Sequence, residues 1–108
     1  MIAVISEVVP HADRKPDYFM LTQELQPHLH AVDGFISSER FESCKEPGKY
    51  LSVSYWRDEA ALLRWRNLDE HRKVMAMGRN NILRDYHIRI TEVLREYGMN
   101  SRAGAPLE

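Results

Sequence analysis

The chain has 108 residues, 44% of them hydrophobic and 29% charged, and its 15 lysines and arginines nearly balance its 16 aspartates and glutamates. That length suits one domain with a real core, small enough for a partner subunit to help cover it. The near-zero net charge and the scatter of the basic residues argue against nucleic acid or an anionic membrane as partner, and no apolar run approaches the roughly 20 residues needed to span a bilayer.

Cys44 is the one cysteine, so there is no internal disulfide, and the cytoplasm is the favoured compartment. The first ten residues, MIAVISEVVP, lack a basic segment and a small-residue cleavage site, so they read as a strand rather than a signal peptide. In Ile2 to Val9, Ile2, Val4 and Val8 alternate with Ala3, Ile5 and Val9, and Pro10 stops the run. Apolar residues on both faces imply a strand covered on both sides or one lying against another subunit.

His11 to Lys15 is a polar connector in which Asp13 is placed to cap a helix, with Pro16 in its first turn. Tyr18, Leu21, Leu25, Leu29 and Val32 step by three or four residues. Pro27 predicts a kink or an early end near Gln26. Asp33-Gly34 follows as a stop, with Gly34 free to take a left-handed conformation.

Phe35 to Cys44 alternates as a second strand, with Phe35, Ser37, Glu39 and Phe41 on one face and Ile36, Ser38, Arg40 and Glu42 on the other. The turn at Pro47-Gly48 predicts a hairpin with the strand from Tyr50 to Trp56. There Leu51, Val53 and Tyr55 oppose Ser52, Ser54 and Trp56. Asp58 is a plausible N-cap for a helix carrying Leu62, Trp65 and Arg66 at helical spacing.

Asn67-Leu68-Asp69 predicts a break, with Asp69 capping a second helical piece to about Leu83. Its inward face is either Val74, Met77 and Asn81, or Met75, Gly78 and Ile82. Tyr86 to Tyr97 is expected to return to a strand. Residues 99–108 are expected to form a mobile tail after a domain over 1–98.

The resulting order, βαββαβ, is that of an α+β, ferredoxin-like fold: an antiparallel sheet with its helices on one face. The opposite face is then open in a monomer, and a symmetric homodimer is the economical way to cover it.

Four segments resemble the antibiotic biosynthesis monooxygenase domain family. They are Asp33-Gly34-Phe35, the run Tyr50 to Trp56, the run Trp65 to Arg72 with its Glu-His pair, and Tyr86 to Val93. The likeness spans roughly residues 1 to 97. It implies a dimeric α+β barrel, in which two sheets pack face to face and each subunit holds a pocket between its sheet and helices. Some members of that family oxidise aromatic polyketides or quinols with molecular oxygen and no metal or organic cofactor, others bind and degrade haem, and many have no known activity. In the haem-degrading branch an Asn on the first strand, a Trp and an iron-ligating His are used. Trp65 matches that Trp. Ser6 and Glu7 stand where the Asn would be, and Met75 is nearer than His71 to the place of the ligand, so haem is disfavoured.

The candidate catalytic residues are His71 and Trp65, and the candidate substrate-binding residues are Trp56, Tyr55, Arg79 and Tyr86. His71 suits proton transfer near neutral pH. Its alternative is a surface or helix-cap histidine beside Glu70. Trp65 and Trp56 either line a pocket or simply fill the barrel. Arg79 either closes the pocket or forms an exposed ion pair. The remaining histidines make no metal site, since His28 and His30 are two apart on a helix, and no zinc motif occurs. Cys44 has only Lys45 to activate it. The expected function is cofactor-independent oxygenation of a hydrophobic aromatic or quinol-type molecule. The alternatives are haem binding or degradation and a non-catalytic dimeric binding module.

Overall fold

The computed structural model describes residues 1–77 and 81–106. In chain order it contains β1 (Ile2–Pro10), α1 (Lys15–His30), β2 (Phe35–Glu42), β3 (Tyr50–Trp56), α2 (Glu59–Arg66), α3 (Asp69–Met77) and β4 (Leu83–Glu92). The four strands form one antiparallel sheet in the order β2-β3-β1-β4. This is the ferredoxin-like α+β arrangement, with the second helical region divided at Asn67 and Leu68.

Strand register decides which side chains share a face. Val4 pairs with Ser54 and Ile90, Ser6 with Ser52 and Ile88, and Val8 with Tyr50 and Tyr86. These residues face the helices. Ala3, Ile5, Leu51, Val53 and Tyr55 take the outer face, as the alternation predicts. Phe35 departs from the predicted pattern. A register shift between Phe35 and Ser37 pairs Phe35 with Trp56, so it joins the helix-side face while Ser37, Glu39 and Phe41 lie on the outer one.

The core has two clusters. Ile2, Val4, Leu29, Trp56, Ala61, Leu62 and Trp65 form one, and Val8, Tyr18, Tyr50 and Ile82 the other. Trp56 is 1% exposed, and its indole N–H donates to Ser54 Oγ at 2.9 Å, so the buried ring leaves no polar atom unsatisfied.

Three local expectations change. α1 does not stop near Gln26 but runs through Pro27 to His30. Gln26, Pro27 and His28 lie on its exposed side, where water can satisfy the carbonyl that proline leaves free, while Leu25 and Leu29 hold the helix to the core. Asp13 caps nothing. It sits in a short 3-10 turn, Ala12–Arg14, and Arg14 braces the first turn of α1 through a 2.6 Å contact with Asp17. β4 begins at Leu83 and ends at Glu92, because it pairs along the whole of β1, from Pro10 to Ile2. Leu94 and Tyr97 therefore lie past the sheet and are exposed. Where the expected tail begins, the Gly98 N–H donates to the Ser101 carbonyl at 2.7 Å and closes a turn.

The signals around α2 act as read. Asp58 Oδ1 accepts the Ala61 N–H at 2.9 Å and caps the helix. Gly34 has φ +95°, and a Cβ built on it would lie 2.6 Å from the Ala61 Cβ. Replacing Gly34 by Ala therefore combines left-handed strain with overpacking against α2. It is expected to cost about 2–4 kcal/mol, against about 1 kcal/mol for Asp58→Ala, which only loses a cap. Urea denaturation of both variants checks the ranking; equal costs would mean that Gly34 and Ala61 are not in tight contact.

Candidate functional site

A cleft of about 860 Å³ lies between the helix-side face of the sheet and the three helices. That is a volume typical of small-molecule sites. Trp56, Trp65, His71 and Tyr86 line it. Four of the residues singled out from the sequence thus meet in one place.

The route from core to cleft is aromatic. Phe35 meets Trp56 edge-on at 5.2 Å, Trp56 stacks with Trp65 at 6.4 Å, and Trp65 meets the His71 ring at 4.6 Å and 51°. The two tryptophans are buried and the histidine is half-buried. The break at Asn67 and Leu68 makes this possible. It ends α2 one residue after Trp65 and lets α3 bring His71 back over the indole.

Burial pushes the His71 imidazole below its ordinary value. A backbone hydrogen bond with Arg66 opposes this, and the Arg66 charge adds to it. The ring is therefore neutral at pH 7, the form that accepts a proton.

Tyr86 joins the cleft from β4, although it is 42% exposed. Tyr55 does not join it. It pairs with Ala3 and Ser37 on the outer face, because alternation in β3 sends it opposite to Trp56. Arg79 lies outside the described residues. Of the two inward faces proposed for the second helical piece, Met75 and Ile82 line the cleft, while Gly78 falls outside the described residues.

Arg40 lines the cleft as well, and residue type alone did not single it out. The available signal was its place in β2: alternation puts it with Ser38, and the hairpin register sets it beside Ser52. Its guanidinium donates to Thr22 Oγ1 at 2.7 Å and lies 4.7 Å from the centre of the Phe19 ring. Burial pushes the Tyr18 phenol up, and the nearby Arg40 works against that shift.

On the outer face, Glu7 accepts from Arg89 at 2.9 Å and contacts Lys49 at 3.6 Å. Chiefly through Arg89, its carboxyl is held below the usual range. Among the described residues, no three His, Cys, Asp or Glu side chains come together as a metal site. No helix among them is long and apolar enough to cross a membrane.

Comparison with known proteins agrees with the family resemblance. The family model for antibiotic biosynthesis monooxygenase matches residues 1–77. A protein of Pyricularia oryzae named jasmonate monooxygenase ABM is 41% identical over 93 residues, which are 86% of this chain and 43% of that protein. The chain thus spans less than half the length of this relative. Among solved structures, Rv0793 of Mycobacterium tuberculosis superposes with a TM-score of 0.80 at 22% identity, covering 90% of this chain and 98% of that one. SO0527 of Shewanella oneidensis gives 0.76 at 17% identity, with 83% and 87% covered. At those identities the two structures speak for the fold alone. The family match and the 41% identity go further: this chain belongs to the antibiotic biosynthesis monooxygenase family.

Proposed function

We propose that the protein is a monooxygenase that uses molecular oxygen, without a metal or organic cofactor, on an aromatic or quinol-type small molecule bound in the cleft. The observation that carries this reading is a half-buried His71 ring set 4.6 Å from the Trp65 ring at the wall of the cleft, where burial lowers its proton affinity. Family membership and a relative named as a monooxygenase support it.

In this reading His71 takes a proton from the substrate C–H or O–H. The resulting carbanion or phenolate gives one electron to oxygen, and the radical pair combines to form the C–O bond of a peroxide. Protonation and loss of water leave the carbonyl, so one oxygen atom enters the product and the other leaves as water. The substrate supplies the electrons. Trp56 and Trp65 exclude water from the side on which the anion forms.

Haem fits these residues poorly. Ser6 faces the cleft in place of the first-strand amide, and Glu7 is turned to the other face by Arg89 and Lys49. The His71 ring is packed on the Trp65 indole.

We also propose a homodimer formed through the outer face of the sheet. Ile5, Leu51, Val53, Tyr55 and Phe41 give it an apolar strip, with Phe41 47% and Tyr55 37% exposed in the single chain. Glu7, Arg89 and Lys49 put both signs of charge beside that strip, which suits a self-complementary contact.

Oxygen uptake with a panel of quinols and polyphenols tests the activity, with protein-free controls. His71→Ala is expected to lower kcat by about 100-fold or more while the substrate dissociation constant changes little. Equal losses in both would reduce His71 to a binding group, and no uptake across the panel would overturn the reading.

The acidic limb of kcat/KM for the free enzyme should fall below pH 6.5, the ordinary histidine value, because the folded ring holds its proton weakly. The same shift makes a stability prediction. The contribution of the neutral ring is complete above about pH 6.5 and is lost as pH falls from there through the folded value. An NMR titration in which His71 changes state at or above 6.5 would contradict both statements.

Sedimentation should give a dimer, and Val53→Arg should give a folded monomer. A wild-type monomer at high micromolar concentration would remove the proposed interface.

A further inference from the structure

The cleft floor has two halves of opposite character. Toward the β2 edge lie Ser38, Arg40, Ser52 and Ser54, with Ser6 on the neighbouring β1. Toward β4 the floor is Ile88 and Ile90, which remain 42% and 45% exposed. One level of the register crosses the whole floor: Arg40 pairs with Ser52, Ser52 with Ser6, and Ser6 with Ile88. That row spans three strand spacings, roughly 14 Å.

Arg40 is held in place without being neutralised. The Thr22 hydroxyl donates to the Phe19 carbonyl at 2.9 Å, which turns its lone pairs toward the guanidinium and lets it accept from Arg40 at 2.7 Å. The Phe19 ring lies 4.7 Å and the Tyr18 ring 5.4 Å from the guanidinium carbon. Among the described residues, no carboxylate comes within 4.0 Å of Arg40. Its chain neighbour Glu39 pairs with Val53 on the outer face, and Glu42 accepts from the Gly48 N–H. One of the five guanidinium donors goes to Thr22 Oγ1 and the Tyr18 phenol lies within reach of a second, which leaves donors for a planar, two-oxygen acceptor. Ser54 accepts from the Trp56 indole, so its own hydroxyl proton is free to donate.

We propose that Arg40 anchors the carboxylate of an amphipathic acid whose apolar part lies across the floor on Ile88 and Ile90. The proposal rests on the small-molecule reading of this cleft and narrows its substrate class from hydrophobic to acidic and hydrophobic. A single guanidinium braced by a hydroxyl and two rings matches the plane and the single charge of a carboxylate. The serine hydroxyls next to it keep the head group solvated as it leaves water. The isoleucines take the chain.

The test is direct binding and needs no turnover, so it can fail while the oxygenase reading stands, or succeed while that reading fails. The neutral fluorophore N-phenyl-1-naphthylamine is bound to the full chain and displaced by decanoate or by decan-1-ol, each below its aggregation limit. In Arg40→Gln the decanoate affinity is expected to fall about tenfold or more while decan-1-ol is unchanged, and Arg40→Lys should recover part of the loss. Circular dichroism confirms that both variants fold, as expected for an exposed side chain. Equal behaviour of decanoate in wild type and Arg40→Gln would overturn the proposal. A parallel loss of decanoate and decan-1-ol, or no binding of the fluorophore or of either competitor to the wild type, would overturn it as well.

Discussion

The contact on which the rest depends is the stack of Trp56 on Trp65. Trp56 belongs to the sheet and Trp65 to α2, so the 6.4 Å stack fixes the helical layer over the strands at one point. Everything nearby serves that placement. Asp58 starts α2 at the right residue, Gly34 lets Ala61 approach the chain, and the β-bulge at Ile36 turns Phe35 inward to close the other side of Trp56. The stack also reaches outward. Trp65 is the surface on which His71 rests, so the largest fully buried side chain among the described residues, Trp56, lies only two ring contacts from the candidate base. The imidazole carried by this short helix is thus positioned by ring packing on the core together with a backbone hydrogen bond to Arg66.

That arrangement explains the charge state of His71. An imidazole packed on an indole loses water on one side, and that desolvation favours its neutral form. A lowered value keeps the base present at neutral pH, but it also makes it weaker. Under the oxygenase reading, the difference has to come from stabilising the anion that forms. The hydroxyls of Ser6, Ser52 and Ser54 lie on the floor of the same cleft, in a setting drier than bulk water, where a hydrogen bond to an anion counts for more.

How much of this was legible in the chain can be traced residue by residue. Period-two alternation placed Trp56 opposite Tyr55, and helical spacing placed Trp65 inward, because both rules are local and strong. The Asp58 cap and the left-handed Gly34 were readable for the same reason. Alternation groups Phe35 with Ser37, Glu39 and Phe41, whereas the bulge changes the count by one residue and separates it from them, and nothing in the Phe-Ile-Ser run announces it. Pro27 misled because its effect depends on whether the carbonyl it frees faces water, which is a tertiary fact. β4 was placed three residues late, since its ends are set by the length of β1 rather than by its own composition. Arg40 stayed hidden for a related reason. An arginine in an alternating strand looks like any solvated surface charge until the register reveals serines beside it and a threonine from α1 behind it.

The division of the floor follows from strand order. In β2-β3-β1-β4, the hairpin strands occupy one edge and β4 the other. Both edges lie under the open part of the helical layer, while Val4 and Val8 on β1 sit in the two core clusters. Polar and apolar residues can therefore separate laterally in the cleft without disturbing the core, which runs along the central strands. The hairpin edge supplies charge and hydroxyls, and β4 supplies the hydrocarbon of Ile88 and Ile90 beside the Tyr86 ring. A ligand apolar throughout would leave Arg40 and the serines facing it without partners, and one polar throughout would gain nothing from Ile88 and Ile90. Under the proposed reading the floor discriminates against both, which lets an open cleft select by chemistry.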